Sequence, residues 1–245
     1  MFEHEHHRTI VHVLDCLDRE IFAEVGARFG GGTLITLLHG EYRWSRDIDF
    51  ICPVGPRYRR LRQIVFEGAG KPAVLFARTD SLEFPRDLLA NQYGIRFAVA
   101  AAGTLIKFEI VAEARIELEP PETKDWLNVP CLSRIDRYAE KLLANADRGV
   151  DSSTRARDLI DLAVLRLHGE QSQRALDKAE AAYPVLAPLR KSLETFQASK
   201  DFRAQCFSAL EIRNRPRIMD GIDLLAEDLG LTRTDRAPDE RCDDA

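Results

Sequence analysis

Two aspartates, Asp47 and Asp49, stand two residues apart in Ser45-Arg46-Asp47-Ile48-Asp49-Phe50. On an extended strand that spacing puts both carboxylates on one face, with Ile48 and Phe50 on the other. Two carboxylates side by side repel unless a cation neutralises them, and hard divalent cations with oxygen ligands are the usual occupants. Alone, such a pair equally describes an exposed strand edge or turn. The apolar neighbours Ile48, Phe50 and Ile51 predict a strand buried on one side, where a bare pair of charges is costly. Upstream lies Gly30-Gly31-Gly32-Thr33, between a short strand and a short helix. Glycines there let backbone N–H groups approach a phosphate, the helix start favours negative charge, and Thr33 adds a hydroxyl. A flexible turn has the same composition. A third carboxylate, Glu109, sits in Leu105-Ile106-Lys107-Phe108-Glu109-Ile110-Val111, where Lys107, Glu109 and Val111 share a face. That face is either a solvated edge or, if the strand neighbours the aspartate strand, the third corner of a carboxylate triad. Lys107 would then help neutralise triphosphate charge.

The elements that must position these residues follow from periodicity. Apolar positions Ile10, Val13, Leu14, Leu17, Ile21 and Phe22 predict one amphipathic helix over residues 5–24. A short strand leads into the glycines, and a second helix runs from about Thr33 to Leu38. Asp47–Cys52 alternates as a strand, and Arg57–Glu67 reads as a helix begun near Pro56. Strand-like runs follow at Ala73–Arg78, Ile95–Ala101 and Thr104–Val111, the last two joined by an Ala102-Gly103 hairpin. Glu119-Pro120-Pro121 is a stiff connector. Beyond Leu132 only helices are predicted: Ser133 to about Ala146, Ser152 or Ser153 to His168, then 171–182, 184–198, 201–212 and about 216–229. The tail after Gly230 is polar and predicted to be disordered.

Composition narrows the function class. The 245 residues are 45% hydrophobic and 31% charged, the balance of a globular protein, with room for two cores. A net charge of −5 argues against general attraction to nucleic acid, although Arg57-Tyr58-Arg59-Arg60-Leu61-Arg62 concentrates four positive charges, read most simply as a solvated helix face. The start is polar and partly acidic, unlike a secretory signal, and Phe97–Ile106 is too short to span a bilayer, so no membrane association is expected. Cys16, Cys52, Cys131, Cys206 and Cys242 are dispersed with no C-x-x-C pair, which fits a reducing cytoplasm. Cys52 is expected to be packed, since no histidine is placed to activate it. The cluster His4, His6, His7 and His12 could bind adventitious metal, but His6 lacks the structured carboxylate context of a catalytic site, and His39, just after the second helix, has no required role.

These motifs together carry a family resemblance. Gly31-Gly32-Thr33 followed by Arg43-x-Ser45-x-Asp47-Ile48-Asp49-Phe50 resembles the first motif of DNA polymerase β-like nucleotidyltransferases, and more specifically the AbiEii/AbiGii toxin branch. Lys107-Phe108-Glu109 is similar to that branch's Lys-x-Asp, with Glu for Asp, a change that keeps the carboxylate and lengthens its reach. Glu140-Lys141-Leu142-Leu143-Ala144 with Arg148, and Arg157-Asp158-Leu159-Ile160-Asp161-Leu162, are similar to the third and fourth motifs. Four loose motifs in order over residues 31–162 leave little room for chance.

The order of elements reads as a small mixed α/β domain followed by a helical domain, and the resemblance makes this an α+β fold: a mixed sheet with flanking helices in a nucleotidyltransferase catalytic domain (residues 1–130), a C-terminal helical bundle (131–231) that closes a cleft, and a tail (232–245) predicted to be disordered. It implies that Gly31, Gly32, Thr33 and Ser45 hold the nucleotide triphosphate, with Lys107, and that Asp47, Asp49 and Glu109 bind Mg²⁺ or Mn²⁺. Lys141 would contact the nucleotide and Asp158 would support Lys141 or the acceptor; without the resemblance both read as surface helix charge. Asp161, one turn after Asp158, either shares that cleft or pairs with Arg157 or Arg166. The implied reaction transfers a nucleoside monophosphate from an NTP to RNA (a tRNA 3′ end) or protein, in a type IV toxin–antitoxin or abortive-infection system with a cognate antitoxin. Two other readings stand beside it: a small-molecule, antibiotic-type nucleotidyltransferase, and a non-catalytic nucleotide-binding module.

Overall fold

The computed structural model describes residues 2–149 and 151–241. Cys242 and residues 243–245 of the tail lie outside the described residues. The chain divides into two compact units, Met1–Leu37 with Ser45–Ser133, and Leu38–Trp44 with Arg134–Ala245. The division differs from a single cut near residue 130: a short segment between the glycine motif and the aspartate strand belongs with the helices.

The first unit is built on a seven-stranded mixed sheet. Its strands are β1 (Arg28–Gly30), β2 (Ile48–Pro53), β3 (Leu89–Ala90), β4 (Gly94–Ala101), β5 (Thr104–Glu113), β6 (Glu122–Lys124) and β7 (Leu127–Cys131). They lie in the order β3-β4-β5-β2-β1-β7-β6. β2 runs parallel to β5 and antiparallel to β1, while β1 and β7 are parallel. The predicted β4–β5 hairpin forms with Ala102 and Gly103 both at positive φ, 48° and 72°, as a two-residue turn matched to strand twist requires. Alternation does the rest. Phe50 of β2, Phe97 of β4 and Phe108 of β5 stack on one face, with ring centroids 5.5 Å apart for Phe50–Phe108 and 4.5 Å for Phe97–Phe108. Asp49, Lys107 and Glu109 therefore occupy the other face.

Four helices belong with the sheet: α1 (Glu5–Asp15), α2 (Arg19–Glu24), α3 (Gly31–Leu38) and α4 (Pro56–Glu67). The single helix expected over residues 5–24 is two. Asp18 breaks it, because its carboxylate caps α2 by accepting from Glu20 N at 3.0 Å and Ile21 N at 3.2 Å. The strand expected at Ala73–Arg78 is instead a 3-10 turn over Pro72–Leu75, entered through Pro72, with Phe76 making one isolated bridge to Leu17. Strands β3, β6 and β7 had no prediction. Each is short, and β7 carries Pro130, so periodicity gave no signal over so few residues.

The second unit holds α5 (Arg134–Arg148), α6 (Arg157–Leu167), α7 (Gln173–Ala182), α8 (Leu186–Ala198), α9 (Lys200–Ala209) and α10 (Arg215–Asp228). The helix expected from Ser152 or Ser153 begins only at Arg157. Ser152–Thr154 forms a 3-10 turn, and Arg155 and Ala156, at φ 53° and 51°, reverse the backbone hand and separate the two pieces. Gly221 of α10 lets that helix meet α6, since a Cβ there would lie 2.4 Å from the Ala163 carbonyl oxygen. The tail also departs from expectation as far as it is described. Glu240 is buried and accepts from the fully buried Arg203 at 2.6 and 2.9 Å, and Arg236 donates to Asp223 at 2.6 Å. Paired charges of opposite sign order a segment whose polar composition alone predicts disorder.

Candidate active site

The β2–β5 register brings two of the predicted carboxylates together. Asp49 stands directly opposite Glu109 in the parallel pair, and opposite Gly30 on the other side. Asp47 precedes β2 by one residue. The Asp49 and Asp47 carboxylates both favour the charged form of the Lys107 ammonium. Burial opposes the charge on Lys107, but its hydrogen bond to Glu109 and the three carboxylates outweigh that cost.

Glu109 is engaged at both oxygens. Lys107 Nζ donates to Oε2 at 2.7 Å and Arg96 Nε donates to Oε1. Burial pushes the Glu109 carboxyl up, and the bonds from Lys107 and Arg96 more than reverse this, leaving it below the ordinary carboxylate range. Sequence reading missed Arg96. Counting outward from the two-residue hairpin turn would have found it, because Arg96 faces Glu109 across the β4–β5 ladder.

Gly31 opens α3 at φ +68°, and a Cβ added there would lie 2.5 Å from Asp49 Oδ2. The glycine motif thus lies against the aspartate carboxylate, with Gly32 beside it in the first turn of α3. Gly31→Ala is expected to lower the melting temperature by only a few degrees, because one residue in the left-handed region costs about 1–2 kcal/mol. The loss of activity should be larger, more than about tenfold, because the methyl group displaces Asp49. Differential scanning calorimetry beside an activity assay checks both.

The hydroxyls expected to hold phosphate have internal partners. Thr33 Oγ1 donates to the Asp47 carbonyl oxygen at 2.5 Å and lies 2.8 Å from Ser45 Oγ. Thr33 is 1% exposed and Ser45 8%, so both hydroxyls are committed to backbone shape.

Asp47 and Asp49 offer carboxylate oxygens, Glu109 adds a third carboxylate whose two oxygens are held by Lys107 and Arg96, and Gly31 leaves the Asp49 carboxylate room. This donor set fits a hard divalent cation.

In the second unit, Lys141 of α5 and Asp158 of α6 do pair, at 2.8 Å, and both are buried. Arg148 Nε donates to Asp158 Oδ2 at 2.6 Å. Asp161 pairs with neither Arg157 nor Arg166: it accepts from Arg43 Nε at 2.6 Å, from Arg43 guanidinium at 2.9 Å on its second oxygen, and from Tyr42 at 2.5 Å. Lys141 Nζ also reaches Asp161 Oδ2, at 2.7 Å. Burial pushes the Asp158 and Asp161 carboxyls up. Lys141 and Arg148 at Asp158, and Arg43 and Lys141 at Asp161, overcome this and hold both below the ordinary range. The resemblance implied that Asp158 supports Lys141 or the acceptor, but nothing in the sequence pointed to the return of Tyr42 and Arg43 to Asp161, a contact between residues far apart in the chain.

The remaining candidates have structural settings. Cys52 is buried, and desolvation pushes its thiol up to about 12, which suits a packed residue and not a nucleophile. His39 Nε2 lies 3.1 Å from Glu170 in the second unit. His12 bonds Ser81, at 2.7 Å.

The family profile described as nucleotidyl transferase AbiEii toxin, type IV TA system, matches residues 14–212. The chain belongs to this family. As an AbiEii member it is a nucleotidyltransferase, and membership implies a nucleotide substrate and a cognate antitoxin. No curated protein matches it. Among solved structures, a proposed nucleotidyltransferase from H. pylori is similar at 16% identity and a TM-score of 0.51, covering 91% of this chain and 95% of the other. JHP933 from Helicobacter pylori is similar at 15% identity and a TM-score of 0.51, covering 94% and 95%. At such identities the likeness concerns the fold. Among the described residues no helix is long and apolar enough to cross a membrane.

Proposed function

We propose that this AbiEii-family enzyme transfers a nucleoside monophosphate from an NTP to the 3′ end of an RNA, with tRNA as the acceptor class, and releases pyrophosphate. The observation that carries the reading is the pairing of Asp49 with Glu109 across β2–β5, with the Gly31 backbone against Asp49. Asp47 and Asp49 hold Mg²⁺, or Mn²⁺, and Glu109 is the third carboxylate. When bound, the cation supplies neutralisation of triphosphate charge and steadies oxygens of the displacement. The chain's own groups do the remainder. Gly31 and Gly32 present backbone N–H groups at the start of α3 to the triphosphate. Lys107, its charge favoured by three carboxylates, supplies a phosphate-facing cation that Glu109 keeps in place. Lys141, held by Asp158 and Asp161, is proposed as the nucleotide contact of the helical unit. A protein acceptor is the second arm of the same test.

The experiment is incubation of purified protein with each labelled NTP, Mg²⁺ and either total RNA or a protein extract. Label in RNA of tRNA size supports the proposal. Label only in protein moves the acceptor, and label in neither, with the fold intact, overturns the reading.

A further inference from the structure

Asp47 stands just outside the sheet. Its neighbour Asp49 is fixed between Gly30 and Glu109, but the pairings of β2 begin at Ile48. Side chains hold the backbone of the preceding segment instead. Thr33 Oγ1 has one proton and gives it to the Asp47 carbonyl, so it accepts from Ser45 Oγ. His7 Nε2 lies 3.1 Å from the Ser45 carbonyl oxygen, and His6 Nε2 lies 3.1 Å from that of Arg46. A carbonyl can only accept, so both rings carry their proton on Nε2 in these bonds. His7 is fully buried on α1. Both histidines precede residues 14–212, the stretch matched to the family.

We propose that His7 is a positioning residue for the cation site: it holds the Ser45 carbonyl and thereby aims the Asp47 carboxylate two residues on. The inference rests on Asp47 being a cation ligand, as proposed above. Side chains that orient ligands from behind are expected to change metal affinity by about 10- to 100-fold when removed. A packing role alone would change only stability.

The test is Mn²⁺ binding to the full chain without nucleotide, measured by electron paramagnetic resonance of free Mn²⁺, beside thermal unfolding of each variant. His7→Leu is expected to raise the Mn²⁺ dissociation constant about tenfold or more. His7→Gln, whose amide N–H can take the place of Nε2–H, is expected to recover most of that loss. Thr33→Val, nearly isosteric, should weaken Mn²⁺ in the same direction and serves if His7→Leu does not fold. Folded His7→Leu or Thr33→Val with wild-type affinity, or His7→Gln as weak as His7→Leu, overturns the inference. Asp47→Asn separates the two claims. If it binds Mn²⁺ as the wild type does, the cation-site reading itself fails; if it loses Mn²⁺ while the His7 variants keep it, the positioning role alone fails.

Discussion

Asp49→Ala is expected to lower nucleotidyl transfer by about 10³-fold or more, the rate equivalent of roughly 4 kcal/mol of lost charge stabilisation. The backbone at this position is held by β1 on one side and β5 on the other, and neither ladder needs the side chain. The buried neighbours Ile48 and Phe50 point to the opposite face and keep their packing. Melting temperature should therefore move by less than a few degrees, since substitutions outside the core change stability by about 0.5 kcal/mol or less. Single-turnover assays with labelled NTP, beside calorimetry of the same preparation, check both halves. A variant that keeps its activity, or one that loses it only through unfolding, contradicts the assignment of Asp49.

The largest stability effect is expected at Asp161. It is fully buried and bonded by Arg43, Lys141 and Tyr42. Asp161→Ala leaves two buried cations short of a partner, and breaking such a pair from one side costs about 3–5 kcal/mol. Asp228→Ala is the control: its pair with Arg166 is partly exposed, at 26% and 29%, and such pairs are worth about 0–1 kcal/mol. Urea unfolding followed by circular dichroism should show a lowered midpoint for the first and little change for the second.

The same cluster sets an acid limit on stability. The Asp158 and Asp161 carboxyls lie below their ordinary values in the folded chain. A depressed folded value means that the unfolded chain takes up protons first, at about pH 4. The stabilisation is therefore complete above that pH and is lost as pH falls through the lower folded values. Thermal unfolding between about pH 6 and 2.5 should show a steep decline below pH 4 in the wild type, shallower in Asp161→Ala.

Local spacing carried far in this chain. The strand of Asp47-Ile48-Asp49-Phe50 was legible because apolar residues alternate with carboxylates, and the hairpin at Ala102-Gly103 because two residues separate two apolar runs. The Lys141–Asp158 pair was legible only through the family resemblance, since as helix-borne charges both residues read as solvated surface. Each of these signals lies within one or two elements, where the 2.0 and 3.6 periods of the backbone decide which side a residue faces.

What periodicity could not supply was partnership between elements. Asp-x-Asp does not say which strand lies beside it; the parallel β2–β5 pairing does, and it alone places Glu109 opposite Asp49. Nor could periodicity show that the Thr33 and Ser45 hydroxyls turn toward each other, with Thr33 donating to the Asp47 carbonyl. Arg43 could be quoted as part of a motif, but its partner Asp161 lies 118 residues along the chain. The sequence by itself thus determined the donor types, the strand that carries the aspartates and the glycine turn before it. The tertiary structure decided which carboxylate faces Asp49, which hydroxyls are committed to shape and which charges are buried, because those depend on strand order and burial, which no local period encodes.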